Sequence, residues 1–65
     1  MNTTMSMVNY LPGKRIRCDQ VEDTPEANGL CGKVDHIDGI GIYVKLDNGK
    51  EVRLNTFSDK YFVLD

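Results

Sequence analysis

His36 is the one histidine of the chain, and it stands between Asp35 and Asp38. An imidazole there can carry a proton or ligate a metal. General acid–base or nucleophilic catalysis also needs a second group that orients and poises the first. No such constellation is legible around His36, which reads as an exposed turn residue hydrogen-bonded to a neighbouring carboxylate. Cys18 and Cys31 are the only cysteines, with twelve residues between them. A structural zinc site draws on four ligands with a close Cys pair, so two distant thiols and one imidazole read as two reduced side chains. Gly39-Ile40-Gly41 lacks the third glycine and following helix of a phosphate loop and reads as a turn. The expectation is a non-enzyme with no catalytic residue, no metal ligand and no cofactor.

Charge offers two other kinds of chemistry. Residues 19–26 hold Asp19, Glu22, Asp23 and Glu26 and no base, so this stretch carries −4 while the rest sums to 8 − 6 = +2, for a net −2. Bulk attraction to DNA requires a clearly positive domain. The acids can instead solvate a loop or meet a basic surface on a partner. A second set, Arg15, Arg17, Lys33, Tyr43, Lys45 and Arg53, falls on solvent-facing strand positions. Bases interleaved with an aromatic can hold a phosphate backbone and stack a base, although Asp35 and Glu51 share that face.

These groups must be positioned by strands. After Pro12-Gly13, residues 14–18 alternate, with Ile16 and Cys18 inward and Arg15 and Arg17 outward, which predicts a half-buried strand. Residues 19–29 contain Pro25 and end on Asn28-Gly29, an eleven-residue excursion without periodicity. In residues 30–37, Leu30, Gly32 and Val34 share a face until Ile37 breaks step. One extra residue near Asp35-His36 restores the alternation as a bulge, and Gly32 marks a close approach of another chain segment. Cys31 falls outward. A turn at Asp38-Gly39 leads to Ile40, Ile42, Val44 and Leu46, alternating with Gly41, Tyr43, Lys45 and Asp47.

The Asp47-Asn48-Gly49 corner sets the register. A two-residue type I′ turn would pair Val44 with Arg53 and Leu46 with Glu51, mixing apolar and charged residues on one face. A three-residue connection with Gly49 left-handed pairs Leu46 with Lys50, Lys45 with Glu51, Val44 with Val52 and Ile42 with Leu54, and both faces become consistent. Tyr43 then stands beside Arg53, a stack worth about 0.5–1 kcal/mol. Residues 55–60 predict one 3₁₀ turn with Phe57 as a plug. In Tyr61-Phe62-Val63-Leu64, Tyr61 and Val63 point in and Phe62 and Leu64 point out as an apolar contact site.

At 65 residues and 7.3 kDa the chain makes one domain with a small core. Residues 1–9 read as a tail and 10–65 as the domain. No apolar run approaches the roughly 20 residues of a membrane span, and the N-terminal residues lack a signal-peptide layout. A soluble cytoplasmic protein is expected.

The parts list is all-β: a small five-stranded SH3-like barrel with a long acidic first loop and a short 3₁₀ turn before the last strand. Residues 11–64 resemble a family of small domains of unknown function found in phages and mobile elements, related to the SH3-like, KOW and Tudor-like barrels. The resemblance rests on Pro12-Gly13, Ile16, Arg17, Asp23, Pro25, Gly29, Gly32, Val34, the run Val44-Lys45-Leu46-Asp47-Asn48-Gly49, Asp59 and Val63. Leu46 replaces an aromatic common in the family. The resemblance implies a fold and a habitat, with a host-cell cytoplasmic setting for a phage-encoded chain.

The first functional expectation is a binding module acting through a protein partner, with Asp19, Glu22, Asp23, Glu26, Phe62 and Leu64 as the contact set. Within it, the habitat points to an inhibitor or regulator of a host nucleic-acid-handling or defence complex. Homodimerisation is the other form of protein contact, because the last strand and the tail offer unpaired edges. The alternative is nucleic-acid binding by the basic strand face.

Overall fold

The computed structural model describes residues 10–64. The expectation of an N-terminal tail at residues 1–9 lies outside the described residues. Five strands follow in order: β1 (Arg15–Gln20), β2 (Cys31–Asp38), β3 (Gly41–Leu46), β4 (Glu51–Asn55) and β5 (Lys60–Val63). They form one antiparallel sheet in the order β4-β3-β2-β1-β5. The first four strands are a meander, and the fifth returns beside the first. Among the described residues no β4–β5 pairing closes the sheet into a barrel.

The corner at residues 47–49 adopts the three-residue connection. Val44 faces Val52, Ile42 faces Leu54, Tyr43 faces Arg53 and Lys45 faces Glu51. Gly49 sits at φ +92°, a region that L side chains rarely enter. The Leu46 N–H donates to the Lys50 carbonyl at 2.7 Å. The β2 bulge is also present, because the register passes from Val34↔Val44 to His36↔Tyr43 and leaves Asp35 unopposed. Gly32 has the expected reason. A Cβ there would lie 2.5 Å from the Lys45 carbonyl oxygen and 2.9 Å from the Leu46 Cα, so only hydrogen fits between β2 and β3.

The inner face buries Ile16, Cys18, Val34, Ile42, Val44, Leu46, Val52 and Leu54, and Leu11, Val21 and Ala27 join them from outside the strands. The long loop is therefore a built part of the core. Asn28 Oδ1 accepts the Val21 N–H at 2.8 Å, and the Gly29 N–H donates to the Cys18 carbonyl at 2.7 Å.

Several sequence expectations are corrected. The 3₁₀ helix is Pro25–Ala27, inside the acidic loop, where Pro25 supplies the φ of its first residue. Residues 56–58, before β5, form a hydrogen-bonded turn. There the Asn55 Oδ1 accepts the Phe57 and Ser58 N–H groups, and Asp59 Oδ2 accepts the Asn55 N–H at 2.7 Å. Phe57 rides on the outside of this turn, 82% exposed, and plugs nothing. Leu30 and Ile40 are exposed as well. β2 begins only at Cys31, which leaves Leu30 in the loop, and Ile40 falls in the turn before β3. Val63 is 37% exposed because, among the described residues, β5 is an edge strand paired only with β1.

Candidate functional site

Alternation aims one side of every strand away from the core, and the cross-strand register arranges those residues in rows. One row runs through Arg15, Lys33, Lys45 and Glu51 on β1 to β4. The next carries His36, Tyr43 and Arg53. On the other flank Phe62 of β5 faces Arg17, which faces Cys31. The six basic-face candidates thus share one face of the sheet.

The side chains on this face engage one another. The Arg15 guanidinium makes a two-point contact with Asp47, 3.2 Å to Oδ1 and 2.8 Å to Oδ2. That hydrogen bonding holds the Asp47 carboxyl below its ordinary range. The His36 and Tyr43 rings stack at 4.4 Å and 6°, and His36 Nδ1 lies 2.7 Å from Asp35 Oδ2. On the far side of Tyr43 the Arg53 guanidinium stands 5.9 Å from the ring centroid. It lies across Gly41, where a Cβ would come within 2.5 Å of Arg53 Nε. Arg17 sits 5.0 Å from the Phe62 ring centroid. A groove of about 540 Å³ runs along the cation row, lined by Gly13, Arg15, Lys33, Val34, Asp35, Lys45, Leu46 and Asp47.

The protein-contact candidates divide. Phe62 and Leu64 are 49% and 48% exposed, and β1–β5 pairing sets them beside Arg17 and Arg15. The apolar pair thus adjoins the basic set. Asp19 lies exposed near the end of β1, and Glu22, Asp23 and Glu26 are exposed on the loop. Asp59 Oδ1 accepts the Glu22 N–H at 3.1 Å, which ties the loop to the start of β5. At the loop's other end Glu26 borders a groove of about 200 Å³ whose apolar lining is Ala27, Leu30, Leu46 and Val52. Glu22, Asp23 and Glu26 thus lie on a loop that runs from the start of β5 to the β3–β4 hairpin, whereas Asp19 stays on β1, two residues past Arg17.

Cys18 is buried and Cys31 half-buried, both free thiols. Burial first, then the neighbouring Cys31 and Asp59, push the Cys18 thiol up from its usual value. Among the described residues no three of His, Cys, Asp or Glu gather where they could hold a metal, and no helix is long and apolar enough to cross a membrane. Sequence reasoning placed the strand faces but missed the His36–Tyr43 stack and the Arg15–Asp47 pair. The stack could have been found by carrying the bulge through to the register. The pair joins residues 32 positions apart, with no local signal. No family model, curated protein or solved structure matches this chain.

Proposed function

We propose that this chain is a non-enzymatic binding module that acts by occupying a protein surface, with β5 as the contact. One observation carries the reading. Among the described residues β5 is an edge strand, paired with β1 alone, and Phe62 and Val63 on it, with Leu64 just after it, are all substantially exposed. An edge strand offers unpaired backbone groups to another chain, and aromatic side chains supply much of the energy of protein contacts. The acidic loop, tied to the start of β5 through Asp59, supplies a negative field that steers the encounter with a basic partner. The meander with a fifth strand returned to the first supports assigning the sheet to the SH3-like barrels. The resemblance to phage and mobile-element domains supports a regulator or inhibitor of a host complex, working in the host cytoplasm.

The test is affinity capture from the native host with wild-type, Phe62→Ser and loop-neutralised chains (Asp19→Asn, Glu22→Gln, Asp23→Asn and Glu26→Gln together). Phe62 lies outside the core, so the Phe62→Ser circular-dichroism spectrum should match wild type while the captured partner is lost. The loop variant should retain the partner with slower association. Undiminished capture by Phe62→Ser would overturn the assignment of β5. Sedimentation of the wild type distinguishes a second copy of the chain from a different protein.

A further inference from the structure

The register lines up three cations. Arg15 on β1 faces Lys33 on β2, and Lys33 faces Lys45 on β3. All three side chains are exposed, and at a strand spacing of about 4.8 Å the row spans roughly 10 Å. Like charges directly opposite one another weaken a sheet, and Lys33 has a cation on each side. Neither the Arg15–Asp47 ion pair nor the His36–Asp35 contact includes Lys33 or Lys45. A bound anion would turn the repulsion within the row into attraction.

Two further features define that anion. The row lies along the groove of about 540 Å³, and the adjacent row carries the stacked His36–Tyr43 rings, with more than half of the His36 side chain exposed. Cations in line with π surface beside them match the two parts of a nucleotide, phosphate and base. Asp35 and Asp47 border the same groove and Glu51 faces Lys45. These acids confine the site to a short stretch of backbone.

We propose that Arg15, Lys33 and Lys45 bind the phosphodiester backbone of a single-stranded nucleic acid, with the His36–Tyr43 ring pair as the adjoining base-stacking surface. This goes beyond the protein contact at β5 and does not rest on it. The net charge of −2 supplies no long-range attraction, so binding comes from the row itself and depends on salt.

The probes are fluorescently labelled oligo-dT and oligo-U of about 12 nucleotides, read by anisotropy as salt is raised, with poly-glutamate as the competing polyanion. Three phosphate contacts give a log–log salt slope of about −2, a roughly 20-fold loss of affinity between 50 and 200 mM. Lys33→Gln and Lys45→Gln should each reduce that slope by about 0.7. His36→Ala should weaken binding at unchanged slope. Lys33→Gln should melt no lower than wild type, because it removes repulsion, so its loss of binding cannot be misfolding. The dT and U arms distinguish DNA from RNA. No binding of either oligonucleotide at low salt, or slopes unchanged in both lysine variants, would overturn the proposal. Preference for poly-glutamate would also overturn it and assign the row to an acidic protein, and a lowered Lys33→Gln melting temperature would refute the repulsion argument.

Discussion

At the scale of the residue, Asp47 shows how an exposed group acquires a defined titration. Its carboxylate accepts from both Arg15 terminal nitrogens, and its pKa is lowered chiefly by that hydrogen bonding. A folded-state value below the unfolded one makes the pair's contribution present above about pH 4 and lost as pH falls through the depressed value. Exposed pairs stabilise little, so the measurement is the side chain itself. Carboxyl NMR should show Asp47 titrating below the ordinary range, and Arg15→Gln should return it there. Cys18 should resist alkylation in the native chain while half-buried Cys31 reacts, as mass spectrometry of labelled peptides would show. The two strand glycines should respond differently to alanine. Gly32→Ala drives a methyl into the Lys45 and Leu46 backbone and should cost about 2–3 kcal/mol by urea unfolding. Gly41→Ala first meets the movable Arg53 side chain and should cost less than about 1 kcal/mol while displacing the guanidinium from Tyr43.

At the scale of the element, the acidic loop is held at fixed points. Asp59 accepts the Glu22 N–H with one oxygen and the Asn55 N–H with the other, joining the loop to the β4–β5 turn. Asp59→Ala should cost about 1–3 kcal/mol, with amide exchange accelerated at Glu22 and Asn55 and unchanged at Val44. The β3–β4 register was legible because Ile42, Val44, Val52 and Leu54 admit only one turn length that keeps charges off the core face. The bulge was legible because Ile37 falls one position out of step. Phe57 was not. An aromatic in a short turn invites burial, but here Asn55 and Asp59 fold the turn through backbone N–H groups and leave the ring outside. Nor did the loop's periodicity reveal that Val21 and Ala27 complete the core, because their placement depends on Asn28 and on the Cys18 carbonyl across the chain fold.

At the scale of the whole molecule, the sheet presents two surfaces of unlike character. One is the outer face, where the cation row, the ring stack and the apolar end of β5 adjoin. The other is the acidic loop. The sequence separated the apolar and basic candidates into rival proposals, whereas β1–β5 pairing sets Phe62 against Arg17 and Leu64 beside Arg15. That pairing links positions 45 residues apart and leaves no mark on local alternation. Among the described residues the core is eleven buried apolar side chains and has little stability to spare, so covering β5 should also raise the melting temperature, by an amount that grows with the logarithm of partner concentration above its Kd. The most direct test is chemical-shift mapping of the isotopically labelled chain as its captured partner is added. The largest changes are expected at the amides of Arg17, Phe62, Val63 and Leu64. Changes confined to residues 21–30 and 47–51, with β5 unmoved, would contradict the β5 contact.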